Sequence, residues 1–203
     1  MDHLRLLFDG WIAGVGTAGG TRLVVGHWPG SPFGPVTDVM VESPDGHRLL
    51  LAETGELGRF VADTYAFDEV RIVPIAVARS GTAWAVTAGP LALRFSTGGR
   101  GPLGLLLRAV PAALARRLWW VRLIDAPARL LRGVRTYGSA GGGRREWYAA
   151  RDLRRITAAT AALDGVDLGR LAAVDPPVRF GFGSAPRSPA LVRVTTTVEI
   201  PQP

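Results

Sequence analysis

Residues 36–53 read VTDVMVESPDGHRLLLAE. Two β-rich apolar runs, Val36–Glu42 and residues 47–53, flank Ser43-Pro44-Asp45-Gly46, and an Asp-Gly turn between such runs is a strong short-range hairpin signal. Alternation along the first run sets Asp38, Met40 and Glu42 on one face and Val39 and Val41 on the other. Upstream, residues 21–28 (TRLVVGHW) form a strand that stops at the turn segment PGSPFGP. Downstream, Thr54 caps a short helix running to Tyr65, with Leu57, Phe60 and Val61 on its inner face. Residues 69–79 (EVRIVPIAVAR) read as a strand in which Pro74 forces an edge or a bulge. Turns at 80–82 and Gly89-Pro90 then separate two further strands, 83–88 and 91–97.

The middle of the chain differs in kind. Residues 103–133 are rich in Leu, Ala and Arg, a helical composition; Pro111 starts one helix, Asp125 with Pro127 another, and Gly133 ends it. Leu114, Leu118 and Val121 share one helical face while Trp119, Trp120, Leu123 and Ile124 surround the rest, so that stretch is covered on several sides or touches something outside the domain. Strands return at 134–137, 146–150, 155–163, 178–182 and 191–200. The fold class expected is mostly β (α+β): about eight to ten short antiparallel strands in an antiparallel β-barrel or strongly curved sheet, with a helical insertion around 103–133. No repeat or linker divides the chain, so residues 1–203 are expected to form one domain.

Composition removes whole classes of chemistry. The chain has no Cys, hence no disulfide, thiolate nucleophile or Cys-ligated metal centre. All 24 basic residues are Arg, so Schiff-base catalysis, pyridoxal phosphate and a P-loop lysine are excluded. Guanidinium does not deprotonate and suits bidentate binding of carboxylate or phosphate. The net charge of +7 is concentrated: residues 1–99 carry 7 Arg against 10 acids, whereas residues 100–155 carry 13 Arg against Asp125, Glu146 and Asp152. Such a stretch suits an acidic small molecule, an anionic membrane surface or a partner subunit. Without lysine the usual mixed phosphate-tracking surface is missing, and nucleic acid is not expected as a partner. Neither a basic signal-peptide n-region nor an uncharged bilayer-length run is present, so a cytoplasmic location is expected.

Short motifs carry the candidate chemistry. Gly14-Val15-Gly16-Thr17-Ala18-Gly19 matches G-x-G-x-x-G as a string, but a strand follows it where a dinucleotide site needs a helix, so it reads as turn glycines. Residues 137–148 (YGSAGGGRREWY) place three glycines beside two arginines, either a cradle for an acidic group or a surface loop. Arg135, Tyr137, Arg144, Arg145, Trp147 and Tyr148 are the candidate ligand-binding residues. Candidate proton-transfer residues are His27, Asp38, Glu42 and Glu146, two of which must converge in one pocket for that role. Asp38 and Glu42 have a plainer reading as an outward polar face. His3, His27 and His47 fit no metal spacing, and no metal or cofactor is expected.

The runs SPFGPVTDVMVE, TYAFDEVRIVPI, GSAGGGRREWYAARDL and DPPVRFGFGS resemble a family of uncharacterised bacterial proteins that brings no activity with it. More distantly, the strand order with a late DPPV segment is similar to the acetoacetate decarboxylase-like fold. That resemblance implies a cone-shaped barrel around a small-molecule pocket. The family's mechanism uses a Lys Schiff base, and this chain has no lysine for it. The function expected is therefore binding of a small, partly apolar, anionic molecule inside a barrel. Two alternatives stand beside it: a lysine-independent enzyme acting on a carbonyl or carboxylate compound, and a membrane-surface or homo-oligomer contact through 103–133.

Overall fold

The computed structural model describes residues 3–115, 117–123, 125, 135–139, 141–180 and 185–201. Four strands come first: β1 (His3–Thr17), β2 (Arg22–Gly30), β3 (Val36–Glu42) and β4 (Arg48–Ala52). Helix α1 (Gly55–Thr64) follows, then β5 (Glu69–Ile72), β6 (Ile75–Ser80), β7 (Ala83–Ala88) and β8 (Leu91–Thr97). Short helices α2 (Pro102–Ala109) and α3 (Ala112–Ala115) lead to helical residues 118–123. The chain closes with β9 (Tyr137–Ser139), the long β10 (Arg145–Leu163), β11 (Val166–Asp167), β12 (Leu171–Ala172) and β13 (Ala190–Pro201).

All the strands belong to one sheet ordered β5-β4-β3-β2-β1-β13-β10-β8-β7-β6, with β9, β11 and β12 paired off that path. Pairing is antiparallel except where β5 lies parallel to β4. The path does not close on itself, so the strongly curved sheet is the form realised. Its curvature is visible in the core: Leu49 and Leu51 of β4 cluster with Trp84 and Val86 of β7 and Leu91 and Leu93 of β8. Residues from both arms thus pack against one another across the curl.

Parity explains why β1–β4 are apolar nearly throughout. Odd-numbered Ala13, Val15, Leu23, Val25, Val39, Val41, Leu49 and Leu51 enter that inner core. Even-numbered Phe8, Trp28, Val36, Leu50 and Ala52 enter a second core on the opposite face, beneath α1. A sheet buried on both faces has no polar row to alternate with.

Two expectations need correction. The G-x-G-x-x-G string does not begin a turn: through Thr17 it belongs to β1, which pairs with β13 over residues 3–14. Gly16 is needed there because a Cβ would stand 1.9 Å from the Ala173 carbonyl oxygen. Close backbone approach, which only glycine tolerates within a strand, imitates a turn signal in composition. Residues 178–180 are not a strand, since Arg179 is held by a side chain instead of a ladder. Of the helical insertion, 102–109, 112–115, 118–123 and 125 are helical; the rest of the expected second helix, 126–133, and the strand start at 134 lie outside the described residues.

Helix α1 begins as its sequence suggests. Thr54 accepts a hydrogen bond from the Leu57 N–H at 3.2 Å. Thr54→Ala is expected to cost about 1 kcal/mol in chemical denaturation, with Thr54→Ser close to the parent.

Candidate functional site

A cavity of about 80 Å³ lies on the even-numbered face of β2 and β3, between the sheet and α1. Its walls are chiefly apolar: Phe8, Ile12, Met40, Leu57, Val61 and Phe180 contribute to them. A water needs roughly 10–15 Å³ measured this way, so the space takes on the order of half a dozen water-sized groups.

Asp38 and Glu146 both open into it. Asp38 sits at the centre of β3, buried, with the Trp28 indole N–H donating to its Oδ1 at 3.0 Å. Glu146 enters from β10, also buried, and accepts from the Tyr65 hydroxyl at 2.6 Å; that hydroxyl lies 2.9 Å from the Tyr148 hydroxyl. Burial drives the Asp38 carboxyl up to about 7 against the pull of the Trp28 hydrogen bond. Burial likewise raises Glu146 to about 7, opposed by the hydrogen bonds of Tyr65 and Tyr148 and reinforced by the charge of Asp38. Tyr65 is pushed well above its ordinary 10 by burial and by Glu146. Burial is the leading cause for both carboxyls, and the charge of Asp38 adds a smaller upward push on Glu146.

The four candidate proton-transfer residues divide. Asp38 and Glu146 come together in the cavity. Glu42, one turn of the pleat beyond Met40, is fully buried in an ion pair with Arg22 at 2.8 Å. It also accepts from the Arg179 N–H at 2.7 Å and the Arg179 Nε at 2.9 Å. Its work is to tie down the segment carrying Val178 and Phe180, which covers the cavity. Neither Asp38 nor Glu42 lies on an outward polar face, because α1 and residues 174–180 cover that side of β3. His27 has odd parity and points into the other core, between Trp11 and Trp84, with Nδ1 3.0 Å from the Thr37 hydroxyl. Burial lowers its pKa, against the charge of Glu53.

The glycine–arginine segment clamps the helix instead of cradling a ligand. Gly141–Gly143 form a tight turn, with φ of 64° at Gly142, laid against the end of α1. Arg144 donates to the Phe60 carbonyl at 2.8 Å, pairs with Asp63 at 3.2 Å and stacks 4.9 Å above the Phe60 ring. Helix α1 has no basic residue in its own last turn, and Arg144 supplies the charge its C-terminal dipole favours. Arg135 and Arg145 are exposed away from the cavity wall. Trp147 and Tyr137 belong to a small core with Val121 on the other side of β10. Of the six candidate binding residues, Tyr148 lines the cavity and Arg144 braces its roof. No described arginine lines the wall.

Several contributors escaped the reading of the residues. Trp28 reaches Asp38 because Gly26, paired with Asp38 across β2 and β3, has no side chain between them: a Cβ there would lie 2.6 Å from the indole nitrogen and 2.7 Å from Oδ1. Thr196 lines the cavity with a buried hydroxyl that has no hydrogen-bond partner among the described residues. Tyr65 ends α1 and was legible only as a helix terminus. The even-parity row Gly26, Trp28, Asp38, Met40 was the signal available, once β2 and β3 are paired in register.

No family model matches the chain, and no curated protein matches it. Among solved structures it is similar to the crystal structure of acetoacetate decarboxylase from Legionella pneumophila subsp. pneumophila. That match has 9% sequence identity and a TM-score of 0.41, and covers 97% of this chain and 84% of that chain.

Proposed function

We propose that the cavity under α1 binds a small, largely apolar molecule through one oxygen atom, with protonated Asp38 or Glu146 as the hydrogen-bond donor. The observation that carries this reading is the pairing of two buried carboxyls in an otherwise apolar space. A few convergent polar groups on an apolar wall are the usual make-up of a small-molecule site. An anionic ligand held by arginine, the simplest reading of the composition, finds no guanidinium on the described wall. A carbonyl compound or an undissociated short-chain acid meets the donors that are present, and the open hydroxyl of Thr196 adds another.

The test is a thermal-shift and NMR titration against short-chain ketones, aldehydes and carboxylic acids at about pH 6 and about pH 8.5, either side of the carboxyl pKa values of about 7. Stabilisation is expected at the lower pH and at least a tenfold weaker affinity at the higher. The Asp38→Asn/Glu146→Gln variant, whose amides donate at any pH, is expected to bind the ketones and aldehydes without that pH dependence. A panel with no binder at either pH, or binding untouched by Met40→Trp in the cavity wall, would overturn the proposal.

A second reading is favoured by the two carboxyls lining one cavity, each raised to about 7. One can hold a proton while the other is ionised, the condition for paired general acid and base. Such a pair would exchange protons next to the carbonyl of a bound ketone. Deuterium incorporation into that ketone, followed by NMR, is expected to require both Asp38 and Glu146.

A further inference from the structure

All three acids of residues 100–155 are withdrawn from the surface or neutralised. Asp125 is buried and accepts from the Thr136 backbone N–H at 2.7 Å and hydroxyl at 3.0 Å. Glu146 lies in the cavity. Asp152 is paired with Arg100 at 2.8 Å and stands 3.8 Å from Arg154. The exposed charge of this stretch is thus guanidinium, at Arg108, Arg117 and Arg122 along the helices and at Arg135 and Arg145 beyond them.

Large apolar side chains stand out between those arginines. Leu105 is 59% exposed, Leu106 63%, Trp119 59% and Leu123 61%. Both helical stretches rest on the same strand: Gly104 of α2 packs against the Leu153 carbonyl of β10, and Val121 packs against Trp147 and Ala149. Their inner sides face β10, so their outer sides look away from it together. Trp147 and Ala149 have odd parity, whereas Glu146 and Tyr148 enter the cavity, so this surface and the cavity occupy opposite faces of β10.

We propose that this face seats on an anionic lipid surface, with Trp119 and the leucines at the headgroup–acyl boundary and the arginines on lipid phosphates and carboxylates. Protruding leucines with tryptophan, ringed by cations, are the chemistry of an interfacial helix. Nucleic acid is disfavoured because three of the four protruding apolar side chains are leucines, which offer no plane for successive bases to stack on. A second copy is disfavoured because two such faces would set arginine against arginine. The surface is independent of the cavity and would hold whatever the cavity binds.

Flotation with phosphatidylcholine vesicles, with and without phosphatidylserine, tests it, alongside the emission maximum of tryptophan. The intact chain is expected to float with the phosphatidylserine vesicles alone, to shift its emission to the blue, and to be released by salt. Arg117→Glu/Arg122→Glu is expected to weaken partition by at least about thirtyfold, each guanidinium near such a surface being worth roughly fivefold. Trp119→Ala is expected to weaken it by about tenfold. Both variants should keep the parent's circular dichroism. Equal flotation with and without phosphatidylserine, or none with either, overturns the proposal. So does a dimer in sedimentation that Trp119→Ala dissolves, or retention of a single-stranded oligonucleotide lost in the double Arg variant.

Discussion

Unfolding free energy is expected to fall as pH rises from about 4 to above 7, because Asp38 and Glu146 keep their protons up to about 7 when folded and release them near 4 when unfolded. Over that interval the folded chain binds more protons than the unfolded one, so each upward step in pH favours unfolding. The stabilisation is fully present below the unfolded pKa and is lost as pH passes through the folded one. Asp38 moves from an ordinary 3.8 to about 7 and Glu146 from 4.5 to about 7. At about 1.4 kcal/mol per pH unit, this places the cost of ionising each carboxyl on the order of 3–5 kcal/mol, the larger for Asp38. Urea denaturation of Asp38→Asn/Glu146→Gln should lose this decline, leaving the opposite, rising contribution of His27, whose pKa burial lowers, and should show a more stable protein than the parent above pH 7. A parent whose stability is level from pH 4 to 8, or a double variant that tracks it, would refute the buried acid pair. Below this window the sign reverses: Asp68 is held down to about 2 by the Arg48 side-chain and backbone hydrogen bonds, so its contribution disappears only as pH falls through that value.

The second large effect concerns Glu42. Its carboxylate holds the buried Arg22 and the backbone and side chain of Arg179 at once. Glu42→Gln leaves a guanidinium that is only 4% exposed without its counter-charge. Breaking one side of a buried pair costs about 3–5 kcal/mol, and that loss is expected in the denaturation midpoint. Because Arg179 lies between Val178 and Phe180, the loss should also loosen the cavity cover, seen as faster amide exchange over residues 174–180. The matched replacement Arg22→Met/Glu42→Leu removes both charges and is expected to recover most of the stability but not the slow exchange. Single and double variants of equal stability would show that the pair is not coupled.

Much of the sheet was readable because its turns carry their own signals. SPDG set the β3–β4 hairpin, Gly89-Pro90 set β7–β8, and Pro74 broke one long run into β5 and β6. What misled was glycine in β1. Gly14 and Gly16 read as turn residues, yet β1 is one of the two middle strands of the sheet, and Gly16 marks where the backbone near Ala173 crosses against it. A composition reading cannot separate a glycine that bends the chain from one that lets another segment approach.

The carboxyls show the same division. Asp38 and Glu146 could be named from residue type and position on strands, as could the requirement that two candidates share a pocket. That the two are Asp38 and Glu146, with Glu42 tied to arginines and His27 turned to the far side, follows from parity and from the meeting of β3 and β10 across α1. By itself the sequence determined the strand-rich class, the lysine-free and cysteine-free chemistry, and the concentration of arginine in residues 100–155. Tertiary structure alone decided that both arms of the curl share one core, that the cavity under α1 lies on the opposite face, and that its charge is carboxyl instead of guanidinium. The reason is physical: alternation and turn chemistry are local, whereas burial and the pKa shifts it produces depend on which distant strands are brought together.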